Sequence, residues 1–197
     1  MRLILLRHGQ TSSNVSGALD TGDPGASLTE FGHAQARATA RALNGRSIDA
    51  IFVSNLLRTH ETAAPLAADL GLTPATYDGF REIRAGDYEM ATDSDSVHGY
   101  LGTIIGWIEG QYDGRMAGGE TGHEFLDRYD AAIDQVVRSG ATQAVVVSHG
   151  AAIRTWVASR GVGADAERWG EHAYTPLHNT GAIELELVNQ TWEVVDW

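Results

Sequence analysis

Two histidines hold matching positions in this chain, each at the end of an apolar run and directly before a glycine. His8 follows residues 3–6 and Arg7, whereas His149 follows residues 144–147 and one serine. Short apolar runs of this kind are typical of buried strands. Side chains at the carboxyl end of a strand in an open α/β sheet face the crevice where ligands bind. An imidazole next to a guanidinium therefore predicts an anion site at the ends of these strands.

A third apolar run, residues 49–53, leads into a predicted helix whose first turn carries Arg58. If the three runs are neighbouring strands, Arg7, Arg58 and the two histidines project into one crevice. Helix N-termini would also open there and offer free backbone N–H groups to an anion. Because a planar guanidinium binds two phosphate oxygens at once, these side chains predict a site for a tetrahedral dianion such as phosphate.

The composition excludes several other kinds of site. The 197 residues include no cysteine, and all 14 basic residues are arginine because the sequence contains no lysine. Disulfides, thiolate metal sites and cysteine nucleophiles are therefore excluded, as are a Walker-type phosphate loop and Schiff-base catalysis. The net charge of −12 argues against nucleic acid or an anionic membrane surface as a partner.

Neither a membrane span nor a metal site is expected. No apolar run reaches the length needed to cross a bilayer, and the N-terminus lacks the pattern of a secretory signal, so we expect a cytoplasmic protein. The histidines show no spacing typical of metal ligands, so no metal or cofactor is expected. Three of them, His33, His60 and His123, lie in or next to predicted helices and are interpreted as surface residues.

Strand and helix patterns alternate along the chain. This alternation predicts the α/β class, as a three-layer α/β/α sandwich with a largely parallel central sheet. Residues 12–27 are predicted to be a loop, and the helix that follows has Thr29 as its N-cap. Residues 90–119 are predicted to form a lid-like excursion that contains one helix. We interpret residues 1–197 as one domain.

Two predicted helices flank the third apolar run. The first is expected to bury one apolar face, and the second to begin at a polar cap and to end at Gly71. The residues assigned to these roles are Phe31, Ala34, Ala38 and Ala42 for the face, and Ser54 and Asn55 for the cap.

Two alternating runs close the sequence, residues 182–188 and 191–197, and both are predicted to be strands. Trp192 and Trp197 in the second run would supply an edge or an apolar patch for pairing. A homodimer is therefore a possibility that the sequence leaves open.

Six motifs follow one another around the residues named above. They are Leu6-Arg7-His8-Gly9-Gln10-Thr11 with Asn14; Leu28-Thr29 with Gly32 and Gln35-Ala36; Ser54-Asn55-Leu56-Leu57-Arg58 with Glu61-Thr62-Ala63; Arg81-Glu82-Ile83 with Gly86; Gly118-Gly119-Glu120-Thr121; and Val147-Ser148-His149-Gly150. With these motifs in this order, the sequence resembles the histidine phosphatase superfamily, also called the phosphoglycerate mutase-like family. The resemblance extends from residue 3 to about residue 182 and implies the fold of that family.

The resemblance implies catalysis through a covalent intermediate. His8 would attack phosphorus and form a phosphohistidine, and the neighbouring arginines would disfavour its protonated form. Arg7, Arg58 and His149 would hold the phosphate oxygens and balance the charge of the transition state. Glu82 would protonate the leaving oxygen and then act as the base for the attacking water. No metal is then required.

Four further residues are assigned to the site or its surroundings. Asn14 and the amide of Asn179 would contact a phosphate oxygen, and Arg115 would meet the organic part of the substrate. Glu89 is the alternative acid because it lies in the same charged loop as Glu82.

Two segments depart from the pattern of the family. Met90 ends a loop that usually ends in glycine, and residues 19–27 form a longer link than is usual. Because both would border the pocket, they leave the identity of the substrate open.

We expect a phosphomonoester hydrolase that acts on a small phosphorylated metabolite. A phosphoglycerate mutase is the alternative, although only Arg115 is basic between residues 90 and 119, where a mutase should need more positive charge to retain a second phosphate. A third interpretation is a phosphate-binding module without activity, but every residue expected for catalysis is present.

Overall fold

The computed structural model describes residues 1–162 and 172–197 of the chain. In this part of the chain seven strands form one sheet: β1 (Arg2–Arg7), β2 (Ala50–Val53), β3 (Ala75–Thr76), β4 (Gln143–Ser148), β5 (Gly161–Val162), β6 (Ala182–Val188) and β7 (Thr191–Asp196). Across the sheet the order is β3-β2-β4-β1-β6-β7-β5, and only β6 is antiparallel to its neighbours. The predicted α/β class with a largely parallel sheet is confirmed.

Helices cover both faces of the sheet. The α-helices of the described residues are α1 (Ser12–Ser16), α2 (Glu30–Leu43), α3 (Leu57–Leu70), α4 (Ser94–Ile108), α5 (Gly122–Arg138) and α6 (Gly150–Arg160). Along β1, Leu3 and Leu5 face the core under α4, α5 and α6, whereas Ile4 and Leu6 face the core under α2 and α3. This alternation gives the three predicted layers. Within the described ranges no helix is long and apolar enough to cross a membrane.

The parallel strands β2, β4 and β1 are neighbours, and their carboxyl ends lie together. Val147 of β4 pairs with Leu6 of β1 on one side and with Val53 of β2 on the other. The chain leaves β1 at His8 and leaves β4 at His149, so both histidines lie at the same edge of the sheet. The prediction that the three apolar runs are neighbouring strands is confirmed.

The segment predicted to be a loop, residues 12–27, begins with the helix α1. The Thr11 hydroxyl accepts a hydrogen bond from the backbone N–H of Asn14, and the Asn14 side chain accepts one from the N–H of Thr11. This capping box starts a helix that ends at Gly17 in the left-handed conformation. The loop prediction is wrong here because so short a helix shows no apolar period.

The apolar face predicted for α2 is also wrong. Its side chains are exposed, Phe31 by 59%. The positions buried instead are Gly32, Ala36, Ala40 and Leu43. The helix is rotated in this way because small residues allow α2 to approach α3 and the loop after β1 closely.

Two smaller predictions fail as well. α3 begins after Leu56 without a side-chain cap, because the Ser54 hydroxyl accepts a hydrogen bond from the Leu56 N–H and contacts the ring of His149 instead. Trp192 is buried and packs edge-on against Trp156, so it supplies no surface patch for a homodimer.

Candidate active site

The loop that follows β1 is held by the side chains of two helices. The Gly9 N–H donates to the Thr62 hydroxyl, and the Gln10 N–H donates to the Gln35 side-chain oxygen, both at 2.9 Å. A Cβ on Gly32 would lie only 2.1 Å from the Gln10 carbonyl oxygen, so a larger residue at that position would push this loop away. These contacts explain the spacing of the first three motifs.

The His8 side chain is buried, with 3% of its surface exposed. Its Nδ1 lies 2.7 Å from the Gly9 carbonyl oxygen. Since a carbonyl oxygen only accepts, Nδ1 carries the proton, and Nε2 of the neutral ring keeps its lone pair. Burial and the charges of Arg58 and Arg7 hold the pKa of His8 well below its usual 6.5. The ring is therefore neutral at neutral pH.

The His149 ring lies beside His8, with the two ring centroids 5.2 Å apart. Its Nδ1 accepts a hydrogen bond from Arg58 Nε at 3.3 Å, and its Nε2 lies 2.8 Å from the Ser54 hydroxyl. Because a guanidinium only donates, Nδ1 is unprotonated and Nε2 carries the proton. Burial and the charge of Arg58 hold the pKa of His149 well below 6.5. His149 is thus a neutral acceptor that orients Arg58.

The buried Arg58 guanidinium is enclosed by the segment after α1. Its Nη2 donates to the Asp20 carbonyl oxygen at 3.0 Å, and its Nη1 lies 3.8 Å from the Asp20 carboxylate. That carboxylate accepts hydrogen bonds from the Ser13 hydroxyl and the Ala26 N–H. Burial lowers the pKa of Arg58, and the charge of Asp20 opposes this shift. Arg58 therefore has a fixed orientation.

A cavity of about 150 Å³, here called the inner cavity, lies at the end of β1. Its lining includes Arg7, His8, Asn14, Arg58, Glu82 and Tyr100. Tyr100 could not be recognised from the sequence, because it lies among apolar residues and its hydroxyl reaches the Ile83 carbonyl oxygen only in the fold, at 3.0 Å. The inner cavity thus combines two guanidiniums, one imidazole and two carboxylates, those of Glu82 and of Asp20, which lies beside Arg58.

The Glu82 carboxylate lies at the N-terminus of α6. Its Oε1 accepts hydrogen bonds from the N–H groups of Ile83 at 2.9 Å and Ala152 at 2.8 Å, and its Oε2 accepts one from Ala151 at 3.2 Å. Free backbone N–H groups at a helix N-terminus suit a carboxylate, which fixes the position of this side chain at the inner cavity.

Arg128 of α5 holds the loop that carries Glu82. Its Nη1 donates to the carbonyl oxygens of Gly79 at 2.8 Å and Arg81 at 3.0 Å, and its Nη2 donates to that of Glu82 at 3.1 Å. The same guanidinium makes two 2.7 Å hydrogen bonds to the Glu120 carboxylate. Arg128 was not predictable from the sequence, because its role depends on carbonyl groups that only the fold brings together.

The sequence matches the histidine phosphatase superfamily (branch 1) over residues 3–197. The chain belongs to this superfamily. The resemblance carried by the six motifs is thereby confirmed, and the match continues past residue 182 to the end of the chain.

Curated proteins similar to this superfamily member differ in their activities. The chain is 34% identical to the PE-PGRS family protein PE_PGRS11 of Mycobacterium tuberculosis over 206 residues, which cover 98% of the chain but only 35% of that relative. It is 33% identical to the glucosyl-3-phosphoglycerate phosphatase of the same species, over 77% of the chain and 71% of that enzyme. It is also 33% identical to a 2,3-bisphosphoglycerate-dependent phosphoglycerate mutase of Methylobacterium radiotolerans, over 79% and 76% respectively.

A solved structure is similar over the whole chain. The mycobacterial glucosyl-3-phosphoglycerate phosphatase in complex with VO3 aligns with a TM-score of 0.80 and 26% identity, covering 100% of this chain and 98% of the other. This chain therefore shares the histidine phosphatase fold throughout.

Three assigned residues of the superfamily site do not line the inner cavity. His149 is bound to Arg58, and it is Arg58 that lines the cavity. The Asn179 amide donates to the His8 carbonyl oxygen at 3.1 Å and to Asn14 Oδ1 at 3.0 Å, so it braces the loop after β1. Arg115 lies on the surface and pairs with a glutamate of α5, so the structure does not bring it to the site expected for it.

A second cavity, here called the outer cavity, has a volume of about 410 Å³. It adjoins the inner cavity at Thr21, which lines both. Glu89, the alternative acid, lines the outer cavity and accepts hydrogen bonds from Thr21 and from the Gly22 N–H at 3.0 Å. Glu89 therefore fixes the wall between the cavities and lies outside the group that lines the inner one. Among the residues with described positions, no group of three or more His, Asp or Glu side chains could hold a metal ion.

Proposed function

We propose that this chain hydrolyses small phosphate monoesters through a phosphohistidine at His8 and needs no metal ion. The observation that carries the proposal is the tautomer of His8. The hydrogen bond from Nδ1 to the Gly9 carbonyl oxygen leaves the Nε2 lone pair free beside a cavity lined by Arg7 and Arg58. A phosphate dianion would be attracted by the two guanidiniums and would meet a neutral nucleophile.

In the first step His8 Nε2 attacks phosphorus, and the bond between phosphorus and the ester oxygen breaks. Glu82 gives its proton to that oxygen, so the alcohol leaves as a neutral molecule. Glu82 Oε1 accepts two hydrogen bonds of 2.9 and 2.8 Å, whereas Oε2 accepts one of 3.2 Å. We assign the proton transfer to Oε2, because it has the longer competing contact and is more readily available to the leaving oxygen.

In the second step water attacks the phosphohistidine while the Glu82 carboxylate takes a proton from it. The N–P bond breaks and its electron pair returns to Nε2 of His8. Arg7 and Arg58 balance the charge that builds on the phosphoryl oxygens. His149 contributes by holding Arg58 Nε, which keeps that guanidinium directed along the cavity wall.

Hydrolysis is favoured over mutase activity by the charges of the excursion at residues 90–119. Arg115 is its only basic residue, and this guanidinium is engaged at the surface by Glu124. No cation of the excursion is therefore left to retain a bisphosphorylated intermediate over the site.

We extend the proposal to the organisation of the chain. One domain covering residues 1–197 would carry the activity in the cytoplasm, with residues 90–119 as a lid. The position of Tyr100 supports this lid, because this residue of α4 lines the inner cavity. A homodimer stays a prediction.

The proposal is tested by incubating the full chain with 4-nitrophenyl phosphate in the presence of EDTA. We expect release of inorganic phosphate and of nitrophenol. Interconversion of 2- and 3-phosphoglycerate after priming with the bisphosphate, without release of phosphate, would favour the mutase instead. Vanadate binding without either reaction would leave a binding module as the function.

A further inference from the structure

In the described residues, four of the six buried side-chain polar atoms without a hydrogen-bond partner belong to residues that line the two cavities. Among the residues that the structure describes, they include Arg7 Nε and Arg58 Nη1 at the inner cavity, and Asn55 Oδ1 and Arg81 Nε at the outer cavity. A buried polar atom that makes no hydrogen bond costs free energy, and such atoms often mark functional sites. The outer cavity therefore shares with the phosphate site a feature expected of a binding site.

Of the five charged side chains that line the outer cavity in the described residues, all but one are engaged in a hydrogen bond or an ion pair. Asp23 accepts a hydrogen bond from Asn55 at 3.1 Å, Asp78 forms an ion pair with Arg81, and Glu89 accepts the hydrogen bonds from Thr21 and the next residue. The exception is the Arg84 guanidinium.

The Arg84 side chain is exposed and lines the outer cavity. It makes no hydrogen bond or ion pair with any residue of the described ranges. Only its backbone is engaged, since the Arg84 N–H donates to Glu120 at 3.2 Å. Other exposed arginines of the described residues also lack a side-chain partner, among them Arg37 and Arg41, but Arg84 is the one of these that lines a cavity next to the proposed phosphate site.

We propose that Arg84 binds a carboxylate on the leaving alcohol of the substrate, so that the substrates are phosphorylated acids. This inference rests on the proposed phosphatase function. The phosphoryl group would occupy the inner cavity, and the alcohol would pass Thr21 into the outer cavity. The planar fork of Arg84 would then donate hydrogen bonds to both oxygens of the carboxylate.

A carboxylate fits the outer cavity better than a second phosphate. The lining carries Asp23, Asp78 and Glu89 in addition to its two arginines. A dianion would be repelled by these three side chains, with a single free guanidinium to offset the repulsion, whereas a monoanion is matched by Arg84 alone.

The test compares two esters that differ by one carboxylate, O-phosphoserine and O-phosphoethanolamine. The release of inorganic phosphate gives kcat/KM for each, in the wild type, Arg84→Ala and Arg84→Lys. Arg138→Ala serves as the matched control, because Arg138 is a surface arginine of α5 that pairs only with Asp134 at 3.5 Å. Thermal unfolding checks that each variant is folded.

We expect the wild type to prefer phosphoserine, and Arg84→Ala to reduce kcat/KM for it by about ten- to hundredfold, as the loss of charge-assisted hydrogen bonds predicts. In Arg84→Ala most of the loss should appear as a higher KM for phosphoserine. The ratio of kcat/KM for phosphoserine to kcat/KM for phosphoethanolamine should then approach one. Arg84→Lys should retain part of the preference, and Arg138→Ala all of it.

A wild type without this preference, or an Arg84→Ala variant that keeps it, would overturn the proposal for Arg84 while the phosphatase function stands. A wild type that also fails to cleave 4-nitrophenyl phosphate would instead refute the phosphatase function itself. The two failures are therefore distinguishable in one set of assays.

Discussion

The inner and outer cavities meet at Thr21 but are built from different parts of the fold. The inner cavity, of about 150 Å³, lies at the end of β1 and is lined also by α1 with the segment that follows it, by the first turn of α3, and by Glu82 and Tyr100. The outer cavity, of about 410 Å³, is lined mainly by residues of connecting segments, among them Asp23, Asp78 and Gly118. Sheet pairing fixes Arg7, and with it the position of the next residue, His8, whereas no strand fixes the loops of the outer cavity, which are held by side-chain hydrogen bonds. This difference assigns the reaction to the strand ends and the choice of substrate to the loops.

The largest effect is expected at the inner cavity, from His8→Ala. Removal of the nucleophile should lower kcat with 4-nitrophenyl phosphate by on the order of 10⁴-fold or more, for every substrate alike. Rapid quenching with labelled substrate should detect a phosphoenzyme that survives alkali in the wild type and is missing in the variant. The control is His123→Ala, since His123 is an exposed residue of α5. A phosphoenzyme in His8→Ala would contradict the proposed nucleophile.

The next largest effect is also expected at the inner cavity, from Glu82→Gln. An alkyl ester needs a proton on its leaving oxygen, whereas nitrophenolate leaves without one. Glu82→Gln should therefore lower kcat for phosphoserine by about 10²- to 10³-fold and for 4-nitrophenyl phosphate far less. Glu89→Gln is the matched control, and a stronger leaving-group dependence in that variant would make Glu89 the acid.

The difference between the inner and outer cavities also explains which residues of the candidate site could be predicted from the sequence. The strand-end residues Arg7, His8 and His149 follow apolar runs directly, so their meeting at one sheet edge follows from parallel pairing. The hydrogen bonds that these side chains make could not be predicted from strand pairing. His149 was expected to hold phosphate, yet its Nδ1 accepts from Arg58, and this depends on how α3 packs beside β4.

Loop features were less predictable because they depend on contacts between distant segments. Thr21 and Glu89 are 68 positions apart and meet only in the fold. Arg115 was expected at the substrate because it is basic and lies in the excursion, but Glu124, nine positions later, pairs with it at the surface. The charge of a residue and its position along the chain do not predict where its side chain lies when no strand fixes the direction of that side chain.

A smaller effect is expected from Arg128→Lys, which acts on the loop between the cavities. Lysine keeps the charge but cannot make all the hydrogen bonds to Glu120 and to the carbonyl groups of the loop. We expect a loss of about 2–4 kcal/mol in the free energy of unfolding, and a decrease of about tenfold in kcat for phosphoserine through displacement of Glu82.

The same two substrates distinguish positioning from general destabilisation. If Arg128 acts through Glu82, the loss in Arg128→Lys should be larger for phosphoserine than for 4-nitrophenyl phosphate. Arg138→Lys on the same helix should change neither. Equal losses for both substrates would limit Arg128 to a role in stability.

The smallest effect is expected in the pH dependence of the free energy of unfolding, where the buried histidines should differ from exposed ones. The folded chain holds the pKa values of His8 and His149 well below 6.5, so both rings bind protons more readily when the chain is unfolded. As the pH falls below 6.5, the unfolded state is favoured, and the free energy of unfolding should decrease by about 1.4 kcal/mol per pH unit for each histidine. The loss should end once the pH lies below the folded pKa values.

Urea unfolding between pH 7.5 and 5.5 measures how the free energy of unfolding changes with pH. This range lies above the pH at which carboxylates titrate. His8→Asn should reduce the change in the free energy of unfolding per pH unit by the share of one histidine. His123→Asn, which removes an exposed ring, should leave this slope unchanged. Equal slopes in the wild type and His8→Asn would show that the inner cavity does not suppress protonation of its nucleophile.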